Sequence, residues 1–520
     1  MGEPHKAAEG TGNERMAALI SNASALRAVA SAVEGTIGPK GLDTMLVDRF
    51  GDVVVTNDGC TILERMEATH PAARMLINVA RAQQEEIGDG TTTATIMASA
   101  LVQAGLDMVA DGVPVPRLID GVRAGAKAAL ESLERSARPI EGLDDPLLLR
   151  VAYTAGRGHR DIAALAVDAA RLVGVDSLLD PAFRLRDAIV AQEGAANEVF
   201  MGVIVKKARH NRHMPVSVAT ARILVVDDAL EPEKLDDEAL ATERGIERHF
   251  SLQEEFENNL RRLVACGVNV ILVDHGIADV AEDILTDAGV MVATRVSWRD
   301  LRKVAEHTGA RPVKRSWLAR PVAEIEKVLG TAERVYEDEK LSEIRIVGGR
   351  GRPMATIVVG AATRDVVGER ERIAHDAVSA VQAAVRGGVV PGGGAAEISA
   401  ARSLAAVRHE VKGMAAYGVD CVVAALKRPL AQIVQNAGYN PLEKVEEVVT
   451  AQAAAGSDCL AIDCDTGEIA DMLVMGVVDP APVKLYALKA AAEVGEAVLR
   501  IDRIVKKRED NVGEAKEAGT

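Results

Sequence analysis

The sequence predicts a multidomain α/β protein in which the two chain ends build one mostly helical domain and an α/β module is inserted between them. Three observations carry this expectation. From about residue 15 to 135, and again after about 388, long Ala-rich amphipathic helices are separated by Gly-rich turns. Between them, from roughly 205 to 352, apolar runs alternate as strand, helix, strand, helix. At 520 residues the chain also exceeds what one hydrophobic core usually serves, so about two to four domains are expected.

Taken in order, "ALISNASALRAVASAVEGTIG" carries apolar residues at helical spacing and stops at Gly35. "DTMLVDRFGDVVVTNDG" alternates like a β-hairpin whose turn is "RFGD". "RMLINVARAQQEEIGDG" and "TTTATIMASALVQAGLDMV" read as two helices meeting at a glycine-rich corner. In the middle, "ARILVVDDAL" and "VNVILVDHGIADVAEDILTDAGVMVATRV" supply strands and helices. Between two of these strands lies "EPEKLDDEALATERGIERHFSLQEEFENNLRRLVACG", a charged insertion containing a helix and too long for a simple connection. It is either a lid or protrusion, or a solvated surface excursion. The chain returns to helices in "AAEISAARSLAAV", "YGVDCVVAALKRPLAQIVQNAG" and "PVKLYALKAAAEVGEAVLRIDRIV".

Composition excludes several classes. With 61 Lys+Arg against 77 Asp+Glu the formal charge is -16, the wrong sign for a general nucleic-acid binder, whose phosphate contacts need a basic footprint. Aromatics are only 2% of residues, so the core must come from closely packed aliphatic side chains. The five cysteines include no C-x-x-C pair and read as reduced and mostly buried. The N-terminus lacks the apolar core of a signal peptide, and no apolar run is read as reaching membrane-spanning length. The expected location is the cytoplasm, with no membrane and no nucleic acid among the partners.

Five loops and one helix carry candidate chemistry. "IGDGTTTA", residues 87 to 94, has the composition of a phosphate and metal site, although nothing in the chain matches the usual phosphate loop G-x-x-x-x-G-K-[ST]. Asp89 could hold Mg²⁺, and Thr91, Thr92 and Thr93 offer hydroxyls and N–H groups at a helix N-terminus, where the dipole favours anions. The plainer alternative is that Asp89 or Thr91 merely caps that helix. In "TIGPKGLD", Gly38 and Gly41 let backbone approach a phosphate closely, or simply make a turn. Asp58 in "TNDGCT" precedes a glycine in a standard turn pair, which favours the structural alternative there. Asp376 lies inside an expected helix, where it either faces solvent or orients an attacking water. "PGGGAAE" at 391 to 397 is a hinge or a close-approach surface for a ribose. Asp479 in "GVVDPAPVK" is a helix cap or a ribose hydroxyl acceptor.

Together, "TIGPKGLDTMLVD", "VTNDGCTILE", "IGDGTTTA", "GGGAAE", "NAGYNP", "GVVDPAPVK" and "VLRIDRIV" resemble, in order, the motifs of the chaperonins. The details are similar to the thermosome-like group II type, or to the related bacterial group III lineage. The resemblance runs from about 15 to 508. It implies a mostly helical equatorial ATPase domain (1–146 and 389–520), a small α/β intermediate domain (147–204 and 353–388), and an α/β apical substrate-binding domain (205–352) with a helical protrusion as built-in lid.

Function and site follow from the same resemblance. It implies an ATP-dependent chaperone that encloses unfolded protein in a chamber of two stacked rings and promotes folding as the lid closes, with ATP and Mg²⁺ as cofactors. Asp89 matches the Mg²⁺-binding aspartate, and Thr91, Thr92 and Thr93 the phosphate-binding threonines. Asp58 and Asp376 match the carboxylates that position the hydrolytic water. Gly38 and Pro39 match the first phosphate and base loop, Gly393 and Gly394 the ribose loop, and Asp479 the ribose-binding acid. The insertion at about 230 to 258 coincides with the protrusion, so no separate co-chaperonin lid is expected. Where the group II pattern has a lysine sensing the terminal phosphate, "YTAGRGHR" is shortened and Arg157 is the nearest match; its planar fork is no neutral swap for an ammonium. "VRGGVVPGGG" also lacks the longer insert and the tryptophan of that pattern, which points towards the bacterial lineage. Two rivals remain: a small-molecule kinase with an unusual phosphate loop, disfavoured by the protrusion, and a scaffold without hydrolysis, disfavoured by retention of Asp58, Asp89 and Asp376.

Overall fold

Helical periodicity at the ends and strand runs in the middle resolve into two compact units in a computed structural model, which describes residues 4–51, 53–236 and 241–505. One unit takes in Met1–Glu141, Asp145–Arg157 and Ser379–Thr520, and the other Gly142–Asp144 and Gly158–Val378.

In the first unit the helix Thr91–Ala110 is central. Pro71–Glu86, Pro4–Val33, Ala416–Asn436 and Ala481–Leu499 pack around it, and Val115–Ser136 joins them. Leu26, Leu76, Met97, Leu101, Leu426, Leu488 and Leu499 are all buried in one continuous core. Helices from both chain ends lie close because small residues face each other. A Cβ on Gly121 would sit 1.8 Å from the Ala415 carbonyl oxygen, and one on Gly418 would sit 2.1 Å from the Leu118 carbonyl oxygen. The expected hairpin forms as Thr44–Val47 against Val53–Thr56, antiparallel, with Thr44 opposite Thr56.

Two helices here, Arg15–Thr36 and Thr91–Ala110, do pass a length and hydropathy test for crossing a membrane, contrary to the sequence expectation. Thr91–Ala110 is the packed centre of the helical unit, which explains its apolar character without a bilayer.

The second unit is built on an eight-stranded mixed sheet. Its spatial order is Ile189–Glu193, Ala355–Ala361, Glu198–Val205, Glu343–Gly349, Gly330–Asp338, Ser217–Val226, Val270–Val273, Met291–Ala293. The last three strands run parallel to one another. Parallel strands are covered on both faces, and the alternation shows it. Leu224, Val226, Ile271 and Val273 meet Phe256, Leu260 and Leu285, whereas Ile223, Val225, Val270 and Leu272 meet Leu301 and Val304.

The charged insertion ends in a long helix, Glu243–Ala265, capped by Thr242, whose hydroxyl accepts from the Gly245 N–H at 3.1 Å. Residues 237–240 of the expected protrusion lie outside the described residues. Leu252, Phe256, Leu260 and Leu263 bury one stripe, while Ile246 and Phe250 stay exposed nearer the start. Cys60, Cys266, Cys421 and Cys459 are buried and Cys464 is half-buried, all as free thiols.

Candidate nucleotide site

The "IGDGTTTA" loop is not closed by a side-chain cap. The N-cap of Thr91–Ala110 is Gly90, in the left-handed region at φ 83°, and no side chain bonds the first N–H groups. A helix start left open in this way offers donors and positive dipole charge to an anion. Asp89 is not the cap; its Oδ1 accepts from the Gly90 N–H at 2.6 Å. Buried Gln83 holds the loop from below, its Nε2 donating to the Asp89 carbonyl at 2.7 Å and to the Val483 carbonyl at 3.3 Å. Gly90 has no room for a side chain, since a Cβ would lie 2.5 Å from Val483 Cγ1. Thr91 and Thr93 are buried and Thr92 is half-buried.

Asp58 does cap a helix. Its carboxylate accepts from the Cys60 and Thr61 N–H groups at 3.3 and 2.8 Å, and from Thr61 Oγ1 at 2.5 Å, at the start of Gly59–Arg65. This turn lies directly on the threonine loop, because a Cβ on Gly59 would meet Thr92 Oγ1 at 2.3 Å and Thr91 Oγ1 at 3.2 Å. Arg157 adopts φ 53°, rare outside glycine, and its guanidinium donates to the Asn57 side-chain oxygen beside Asp58. The positive charge of Arg157 is also felt at Asp89.

Asp479 is not a helix cap either. It sits in the strand Val478–Pro480, opposite Val390, and Pro480 takes the cap position of Ala481–Leu499. Its Oδ2 lies 2.8 Å from Lys484 Nζ, which is also 2.7 Å from Glu397 Oε1. Burial, and then the nearby Asp479 charge, push the Asp89 carboxyl up to about 6; the Gly90 N–H, Lys484 and Arg157 act the other way. Asp89, Asp479, Lys484 and Arg157 thus form one electrostatic cluster at the open helix end.

The other glycine loops pack on one helix. A Cβ on Gly38, at φ 85°, would touch Ile433 Cγ2 at 3.1 Å, and one on Gly394, at φ 86°, would touch Leu430 Cβ at 2.8 Å. Leu430 and Ile433 are about one turn apart on Ala416–Asn436. Asn436, from the "NAGYNP" stretch, ties down the first loop by donating to the Glu34 and Ile37 carbonyls, each at 2.9 Å. Pro39 is exposed on that loop, and Gly393 lies at φ 62° against Met472. Asp376 falls on the helix Arg364–Gly387, within the portion belonging to the second unit. It is therefore not among the residues that the first unit gathers.

Sequence reasoning passed over Gln83, Asn57, Glu397 and Lys484. Asn57, Glu397 and Lys484 stood inside the quoted motifs "TNDGCT", "GGGAAE" and "GVVDPAPVK", and for the last two the available signal was a charge within an otherwise apolar stretch.

Residues 29–509 match the model of the TCP-1/cpn60 chaperonin family. The chain is 34% identical over 503 residues to a thermosome subunit of Pyrococcus abyssi, covering 93% of this chain and 90% of that protein. It is 35% identical over 501 residues to a thermosome subunit beta of Archaeoglobus fulgidus, covering 93% and 91%. A crystal structure of a group III chaperonin in the open state superposes with a TM-score of 0.89 at 44% identity, covering 95% of this chain and 99% of that one. The chain belongs to the TCP-1/cpn60 chaperonin family. It is a subunit of an ATP-dependent chaperone assembled as a double ring, and the members of its family are ATPases that bind unfolded protein.

Proposed function

We propose that the chain itself hydrolyses Mg·ATP at the open N-terminus of Thr91–Ala110 and uses the cycle to close the insertion at about 230 to 258 over captured protein. The observation that carries this is the helix start with a left-handed glycine cap, no side-chain cap and a carboxylate beside it. The donor set fits the group: Asp89 offers a hard oxygen to Mg²⁺, which prefers carboxylate and phosphate oxygens, and N–H groups with Thr91, Thr92 and Thr93 hydroxyls suit phosphate. When bound, Mg²⁺ neutralises charge on the phosphate oxygens.

Gly38 and Pro39 would line the first loop, Gly393 and Gly394 the ribose side, and Asp479 would accept from a ribose hydroxyl. Asp58, already oriented by three donors, and Asp376 are the proposed water-orienting carboxylates. Arg157 is the proposed sensor of the terminal phosphate; it is anchored on Asn57 and forks where a lysine would act as a point charge. The proposed domains are equatorial 1–146 and 389–520, intermediate 147–204 and 353–388, and apical 205–352. Unfolded or partly folded proteins are the partners, with no separate lid protein, no membrane and a cytoplasmic setting. ATP drives closure only so far as it binds the closed state better than the open one.

The test is limited proteolysis of residues 230–258 in the assembled protein without nucleotide, with ATP, and with ATP in Asp376→Ala. ATP is expected to protect the segment in the wild type, with protection lost or arrested in the variant. Equal cleavage in all three would remove the lid and leave an ATPase of another purpose.

A further inference from the structure

Behind the ribose loop, two buried partners of Asp479, Lys484 and Glu397, have no part in the proposed function. Lys484 is 9% exposed and Glu397 is 2% exposed, whereas Asp479 is 24% exposed. Apart from the ion pair with Lys484, neither oxygen of Glu397 has a hydrogen-bond partner among the described residues. Asp479 Oδ2 is engaged by Lys484, and Oδ1 has no partner among them. A buried ion pair contributes little net stability relative to apolar side chains of the same volume, so stability alone gives no reason for three ionisable groups here.

The placement does. Glu397 lies in the first turn of Ala395–Glu410, directly after the glycine turn, and the N-cap of that helix is Gly394. Asp479 comes from the strand paired with Val389–Pro391, just ahead of the same turn. Lys484 is in the first turn of Ala481–Leu499, and its neighbour Val483 packs on Gly90 and accepts from Gln83. One ammonium therefore ties the helix that follows the glycine turn to the strand paired with the segment ahead of it, on a helix start that also touches the phosphate loop. A Cβ on Gly392 would lie 3.2 Å from Asp479 Oδ2, so the turn closes over the pinned oxygen.

We infer that Lys484, backed by Glu397, is a positioning residue for nucleotide recognition: it locks the Asp479 carboxylate so that its second oxygen accepts from a ribose hydroxyl. This rests on the ribose role proposed for Asp479. With the ammonium removed, the buried Glu397 and half-buried Asp479 carboxylates would repel and Asp479 would lose its fixed rotamer. Lys484 would then affect sugar recognition without touching the nucleotide.

The experiment measures steady-state KM and kcat for ATP, 2′-deoxy-ATP and 3′-deoxy-ATP, with Tm alongside. The proteins are the wild type, Asp479→Asn, Lys484→Met, Lys484→Arg, Glu397→Gln, and Asp479→Asn combined with Lys484→Met. A hydrogen bond to a charged acceptor corresponds to roughly 10- to 100-fold, so the wild type should discriminate against one deoxynucleotide by about tenfold or more in KM. Lys484→Met should bring that ratio to within about threefold of unity while kcat at saturating ATP changes less than KM. Lys484→Arg should retain the discrimination, and the double variant should lose no more than Asp479→Asn alone. Should Lys484→Met not fold, Glu397→Gln carries the test, with a reduced ratio expected at near-normal Tm. If Asp479→Asn keeps full discrimination, the ribose reading of Asp479 fails and this inference with it. If Asp479→Asn loses discrimination while Lys484→Met and Glu397→Gln keep it, the ribose reading survives and the positioning role is overturned.

Discussion

Gly59→Ala adds one methyl group to the site without changing any proposed ligand. The backbone at Gly59 is helical, and Ala there should gain up to about 0.4–1 kcal/mol by restricting the unfolded chain. Against this, the new Cβ would sit 2.3 Å from Thr92 Oγ1 and 3.4 Å from Thr92 Cβ. The hydroxyl must swing away, at a cost of about 0.5–1.5 kcal/mol for a displaced rotamer. The two terms nearly cancel, so Tm should stay within a few degrees of wild type. Catalysis should not be spared, because Thr92 Oγ1 no longer points where it did. If that hydroxyl donates to a phosphate, its loss corresponds to about 1.5–3 kcal/mol, or roughly 10- to 100-fold in kcat/KM for ATP. The assay is phosphate release by Gly59→Ala, Thr92→Val and the double variant. Both single variants should fall by similar factors and the double by no more than either, since they remove one group by two routes. Full activity in both single variants would refute the assignment of Thr92 to phosphate; additive losses would refute the steric route.

Three further outcomes follow from other parts of the molecule. Gly418→Ala or Gly121→Ala places a methyl group against backbone rather than a movable side chain, so overpacking should cost about 1–3 kcal/mol or more and lower Tm, with little change in KM for ATP in whatever fraction stays folded. Asp89 should respond to pH: a carboxyl raised from 3.8 to about 6 binds more protons folded than unfolded between those values, so nucleotide-free stability falls as pH rises through that window. Asp89→Asn should therefore raise the nucleotide-free Tm at pH 7, by at most about 3 kcal/mol of stability, show little gain near pH 4, and abolish Mg-dependent ATP hydrolysis. Asn57→Ala removes one hydrogen bond that orients Arg157 and should raise KM for ATP several-fold at unchanged Tm, read from ATPase kinetics and thermal melts.

Much of the fold was legible because local signals agreed with the tertiary outcome. Thr91–Ala110 begins at the first threonine of the quoted run, and the hairpin pairs Thr44–Val47 with Val53–Thr56 as alternation requires. The apolar runs at 223–226 and 270–273 were recognisable as strands, and the structure buries them on both faces. The membrane criterion misfired for a physical reason. A helix surrounded by other helices is apolar all round, and composition cannot distinguish that surrounding from lipid. The capping alternatives also divided only on coordinates. Asp58 caps, whereas Asp89 and Asp479 do not, although all three stand next to a glycine or proline before a helix.

The unread part of the site has a common cause. Lys484 and Glu397 each stand in the first turn of an Ala-rich helix, where a lone charge ordinarily reads as a solvated face. Their burial depends on each other and on a strand that joins residues 389–391 to 478–480, a pairing across almost ninety positions that no local window contains. Gln83 is similar: polar and in the last turn of its helix, it looks exposed until the Asp89 carbonyl folds back and the Val483 carbonyl arrives from 400 residues away. Glycines announced where backbone comes close, since absence of a side chain is itself a sequence signal. The charges that make such closeness useful announced nothing, because a buried ion pair is defined by its partners and not by its neighbours in the chain.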